Sequence, residues 1–158
     1  MDGSGQWFDD AKVGQTFANT LTITETHLVL GAGLIGDVNP HHTNEVYARE
    51  SRFGTRILHG MLTSAIMGAV VGMRFHGTAI AYLEHNARFL APVRAGDTLT
   101  SAWTIVDTVP KPKHEGGIVV LRGVARNQDG EEVAQAEGKI LVRARPPATP
   151  VAWVADPA

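Results

Sequence analysis

Residues 36–42 read Gly-Asp-Val-Asn-Pro-His-His, which sets a carboxylate, Asp37, five residues before an imidazole, His42. Held on one turn, such a pair faces a single small site with both groups that proton-coupled addition to a double bond requires. One takes a proton from the attacking oxygen and the other gives a proton to the neighbouring carbon. Negative charge that builds on a substrate oxygen also needs preorganised donors, and the unpaired N–H groups at a helix start are suited to that. His59-Gly60-Met61 lies where a long apolar segment begins. Gly60 has no side chain to block close approach to its backbone, so its N–H is the candidate oxyanion donor. Taken alone, Asp37 and Asn39 beside Pro40 are also ordinary turn and cap residues.

The secondary structure that carries these groups is read from the pattern along the chain. Residues 15–24 alternate loosely and are rich in Thr, Phe and Ile, which predicts a first strand. Thr24 or Thr26 caps the apolar segment at 27–35, which reads as helix weakened by Gly31 and Gly33. Residues 36–42 are dense in turn formers, and Asn39-Pro40 biases the backbone away from continuous helix, so they are expected as a loop. A short helix is predicted over 44–51. Residues 57–73 carry no charged residue at all, so a helix there must be enclosed by other elements.

After Gly77 the pattern changes to four β-rich runs, at 78–93, 97–110, 117–128 and 132–146. Turn signals divide them at 92–96, at 111–117 and at Asp129-Gly130, the last a strong hairpin signal. A strand, an apolar helix and then a meander of antiparallel strands have one economical solution, an α+β architecture in which the sheet curls around a single helix. Its open edges and face favour dimerisation.

The string GDVNPHH resembles the hydratase motif of the MaoC-like family, the (R)-specific enoyl-CoA hydratases, with its aspartate at Asp37 and its histidine at His42. The later HGML at 59–62 and FLAPVRAGD at 89–97 also resemble that family, in the right order, over residues 8–145. The resemblance implies a hot-dog fold, a trans-2-enoyl-CoA or other acyl-CoA substrate, reversible hydration to the (R)-3-hydroxyacyl-CoA and Asp37 and His42 as the catalytic pair. Either member of the pair can be the base. It further implies that Asn39 shapes the loop and orients its neighbours; Asn39 and, from its position alone, Gly60 are expected at the substrate. Position 41 is His where the family more often has an aliphatic residue. Other hot-dog enzymes, thioesterases and acyl-carrier-protein dehydratases, generally place an Asp or Glu on the central helix, and residues 57–73 contain neither. A non-catalytic acyl-CoA-binding subunit would be marked by loss of Asp37 or His42, and both are present.

The composition agrees with one domain and excludes several classes. The chain has 158 residues, a formal net charge of -2 and no cysteine. One domain is expected over 1–145, followed by a Pro-rich tail over 146–158 in which Trp153 hints at docking. No basic patch points to nucleic acid or an anionic membrane, and no apolar run reaches the length of a span. Thiolate chemistry and disulfides are absent. The start of the chain lacks the features of a secretory signal, which predicts a cytoplasmic protein. Adjacent histidines do not share a face as a helical i, i+4 pair does, so Asp37, His41, His42 and His59 are not expected to hold zinc, and no cofactor is expected. A homodimer or dimer of dimers is the expected assembly. His27, His76, His85 and His114 read as surface or satisfied, partly buried histidines.

Overall fold

The computed structural model describes residues 5–147. The expectation that Trp153 docks falls outside them. Five strands, β1 (Thr16–Thr22), β2 (Ala79–Phe89), β3 (Thr98–Lys111), β4 (Gly116–Arg126) and β5 (Glu132–Arg143), form one antiparallel sheet in the order β1-β3-β4-β5-β2. Four helices, α1 (Glu25–Ile35), α2 (Pro40–Thr43), α3 (Glu45–Glu50) and α4 (Gly60–Arg74), lie between β1 and β2 in the chain. No helix of the described residues is long and apolar enough to cross a membrane.

The sheet departs from a simple meander. β3, β4 and β5 follow one another, but β2 pairs with the far side of β5, in the register Ala87 to Ala136. The segment between β2 and β3 is therefore a crossing and not a hairpin. It passes the start of α4, where Leu58 N–H donates to Val93 O at 2.7 Å and Ile57 bridges Arg94. Those two extended residues explain why α4 begins at Gly60 and not at 57: Ile57 and Leu58 are apolar because they are strand-like and packed, a pattern that periodicity does not separate from helix.

One boundary in the helical region also differs from expectation, and the cap of α1 is one of the two expected. Residues 36–42 are not wholly loop, since Pro40 opens the one-turn helix α2; its fixed φ and missing N–H suit a first helical position. Thr24 is the cap of α1, and its N–H donates to His27 Nδ1 at 3.0 Å, so a histidine takes the place that Glu or Gln usually holds in a capping box.

α4 packs on the concave side of the sheet through Thr63, Ser64, Met67, Val70 and Val71. Trp103 on β3 fixes the contact: its indole N–H donates to Met67 O at 2.9 Å, and the ring is fully buried. Gly123 on β4 is its direct neighbour across the strands, and a Cβ there would lie 2.7 Å from the ring. The helix is not enclosed all round, however. Met61 and Met73 are two-thirds exposed, and Ala65, Ala69 and Gly72 share that uncovered side.

Because the indole is tethered to Met67 and cannot retreat, Gly123→Ala is expected to cost about 1–3 kcal/mol by overpacking. A lower urea midpoint at unchanged m checks it; an unaltered midpoint would show that the ring can shift.

Candidate active site

The loop and α2 bring Asp37 and His42 together, with Asp37 Oδ2 and His42 Nε2 3.8 Å apart. Asn39 makes this turn. Its side-chain oxygen accepts from His41 N–H at 3.2 Å as the N-cap of α2, and its carbonyl accepts from His42 N–H at 2.9 Å. Asp37 Oδ1 accepts from Asn39 N–H at 3.1 Å, so one carboxylate oxygen is used in the turn and the other faces His42.

The imidazole of His42 has a defined tautomer. Nδ1 lies 2.7 Å from Ile57 O, and a carbonyl only accepts, so Nδ1 carries the proton and Nε2 presents its lone pair to Asp37. Ile57 itself is held by the segment before α4, which Arg56 clamps. Arg56 reaches Glu25 on α1 at 2.7 Å and Glu45 on α3 at 3.1 Å. The hydrogen bond that Arg56 donates to Glu45 raises the Arg56 pKa, with Glu25 adding to it against partial burial. Desolvation opposes charge on Glu45, but the Arg56 side chain and backbone, Thr55 and Arg49 together hold its carboxyl below the ordinary value.

His42 and Gly60 line one cavity of about 310 Å³ together with Ile57, Leu58, Thr63 and Phe89, which is the lower end of the range for small-molecule sites. Gly60 is the first residue of α4, and among the described residues no acceptor takes its N–H. The space a Cβ would fill is bounded by the Phe89 ring at 3.0–3.2 Å, so the glycine serves close packing of Phe89 as well as an open backbone. Asp37 does not line this cavity; a second cavity, lined by Asn39, His41, His42 and Phe53, adjoins it at His42.

Sequence alone places His59 at the start of an apolar helix and assigns it no part in the chemistry. In the structure it is nearly fully buried, its Nε2 lies 2.8 Å from Asp37 O, and its ring stacks on His42 at 3.8 Å. Asp37, His42 and His59 each offer an atom within 4.8 Å of the others, the reach of a metal site. His59 Nε2 carries a proton toward the Asp37 carbonyl and offers no lone pair to an ion, while its buried Nδ1 has no partner among the described residues. His41 stands apart, edge-on to Tyr47 and Phe53. His76 and His114 are exposed. His85 differs from expectation: Tyr82 OH lies 2.8 Å from Nδ1, but Nε2 is buried with no partner among the described residues. Burial lowers the His85 pKa and pushes Tyr82 up to about 12.

The MaoC like domain profile matches residues 10–125. The chain belongs to the MaoC-like family. It is 40% identical over 139 residues to an (R)-specific enoyl-CoA hydratase of Rhodospirillum rubrum, covering 88% of this chain and 93% of that one. An R-hydratase of Pseudomonas aeruginosa, solved unliganded, superposes with a TM-score of 0.79 at 30% identity over 90% of this chain and 95% of that one. A Mycobacterium tuberculosis protein with a double hot-dog fold superposes at 0.81 with 19% identity, covering 92% of this chain and 46% of that one, a likeness of fold alone. This MaoC-like protein is accordingly a hydro-lyase with the hot-dog fold. Within the family motif as it stands here, the residue that sequence reasoning leaves without a role is His59, and its signal is its place directly before Gly60.

The Arg56 clamp of the MaoC-like protein should be felt as acid sensitivity. Glu45 has a depressed folded pKa, so its contribution is complete above the ordinary carboxylate range and is lost as pH falls through the depressed value. A melting-temperature series from pH 6 to 3 should therefore be flatter for Glu45→Gln than for the parent; parallel curves would remove Glu45 from the acid response.

Proposed function

We propose that this protein adds water reversibly across the double bond of a trans-2-enoyl-CoA to give the (R)-3-hydroxyacyl-CoA, with Asp37 and His42 as catalytic residues. The observation that carries the reading is the facing of His42 Nε2 and Asp37 Oδ2 at 3.8 Å, beside a cavity that Gly60 lines. The hydratase and R-hydratase relatives support the reaction class and its stereochemistry.

At that spacing His42 Nε2, as the acceptor, can take one hydrogen of a single water beside Asp37 and leave an oxygen lone pair directed outward. As oxygen bonds to C3, His42 Nε2 takes a proton, in keeping with the tautomer imposed by Ile57 O. Asp37, protonated in the productive state, gives a proton to C2, and the proton returns from His42 to Asp37 to close the cycle. The charge that collects on the thioester oxygen meets the Gly60 N–H at the positive end of α4. Asn39 acts by shaping the turn and borders the second cavity. Neither metal nor cofactor enters these steps. A thioesterase reading lacks support because α4 carries no Asp or Glu.

The working unit proposed is a homodimer, with a dimer of dimers built from it. β2 is an edge strand whose Ile80, Tyr82, Leu83 and Phe89 are 39–50% exposed, and the uncovered apolar side of α4 adds to this surface. A second copy of the chain would pair the edge and cover that side.

With trans-2-enoyl-CoAs of short, medium and branched chain, conjugated-thioester absorbance should fall without thiol release. Asp37→Asn and His42→Ala should each lower kcat by about 10²–10⁴-fold with little change in KM. Thiol release would replace hydration by thioester hydrolysis, and full activity in either variant would remove that residue from the chemistry. Sedimentation equilibrium should give twice the chain mass or a multiple of it; a monomer at assay concentration would overturn the assembly.

A further inference from the structure

We propose that His59 is a positioning residue for this reaction, holding Asp37 and His42 in place without touching substrate, an inference that rests on the proposed hydration. The Nε2–H of His59 donates to the backbone carbonyl of Asp37 at 2.8 Å. Among the described residues it is the sole hydrogen bond joining residues 36–39 to any part of the chain outside 32–43. Every other one is local: Gly36 N–H to Ala32 O, Asn39 N–H to Asp37 Oδ1, and the Asn39 and Val38 acceptors used by His41, His42 and Thr43. The height of Asp37 above the helix start therefore depends on one imidazole.

The same ring stacks on His42 at 3.8 Å and 29°, while Ile57 O fixes the opposite side of that imidazole through Nδ1. His42 is thus held by a hydrogen bond in its plane and by a ring against its face. His59 is 1% exposed and does not line the cavity that His42 and Gly60 share, which separates it from substrate. It also occupies the N-cap of α4 without a side-chain cap bond. A Ser or Asp there would turn its side chain onto the helix N–H groups; His59 turns toward Asp37 and leaves that end open beside Gly60. One residue in this way sets the acid, the imidazole and the donor relative to one another.

The test compares His59→Gln with His59→Asn and His59→Ala in the enoyl-CoA assay. A Gln amide nitrogen reaches about as far as imidazole Nε2 and can donate to Asp37 O, whereas an Asn amide stops near the Nδ1 position. Misplacement of a reacting group by about 1 Å costs on the order of 10² in rate. The Asn and Ala variants should therefore lose about 100-fold in kcat with KM within about threefold, and Gln should recover at least about tenfold of that loss. A purely structural role would lower the melting temperature of Gln and Asn alike without separating their kcat values. Equal kcat in the two amide variants, a loss confined to KM, or parental turnover in His59→Asn would overturn the proposal, with the polar variants standing in if the Ala protein fails to fold. Absence of hydration by the parent itself would instead remove the proposed function on which it rests.

Discussion

The single hydrogen bond from the Trp103 indole to Met67 O is the constraint on which the arrangement turns. A helix whose one charged residue is its last, Arg74, has many nearly equal ways to lie on an apolar sheet, because dispersion and burial are non-directional. A directed bond from a buried ring to a carbonyl in the middle of α4 selects one translation and one rotation. Gly123 makes this possible by leaving the ring a bare patch of strand to lie on. Once α4 is fixed, so are its first residue, Gly60, and the ring of His59 one residue before it.

From there, control passes through backbone carbonyls more than through side-chain pairs. Asp37 and His42 are each fixed by contacts to main chain: the carbonyl of Asp37 to His59, and the Nδ1–H of His42 to the carbonyl of Ile57. Carbonyls are acceptors at every pH, so they impose a tautomer without themselves titrating. A carboxylate in the place of Ile57 O would orient the ring as well and would add a charge. With a carbonyl there, the carboxyl group that faces His42 is Asp37, at 3.8 Å, the group with which it is proposed to act on water.

These features differ in how far they can be read from residues. The meeting of Asp37 and His42 is legible because both lie within one turn, where local spacing decides who meets whom. The strands at β3, β4 and β5 are legible because turn signals bound them, Asp129-Gly130 among them. The place of β2 beyond β5 is not, since strand order depends on a crossing at 90–97 whose cause is its contact with Ile57 and Leu58, far off in the chain. The same contact hides the true start of α4. His59 escapes assignment because a buried histidine at the head of an apolar helix has the same local signature whether it fills space or holds a loop. Its role is stated only by the carbonyl it reaches, 22 residues earlier.

The uncovered side of α4 connects the site to assembly. A helix that carries Met61, Ala65, Ala69 and Met73 on its open side presents an apolar surface, which α1 borders only in part, along Leu30, Gly31 and Leu34. Charge on that side would place a field within a turn or two of Gly60, at the positive end of the helix where the proposed oxyanion would develop. Uncharged residues keep that side apolar and keep such a field away. The absence of Asp and Glu from α4, which separates this chain from acid-on-helix enzymes, then has a second physical reason under the proposed function: a carboxylate there would oppose the negative charge proposed to collect at the helix start.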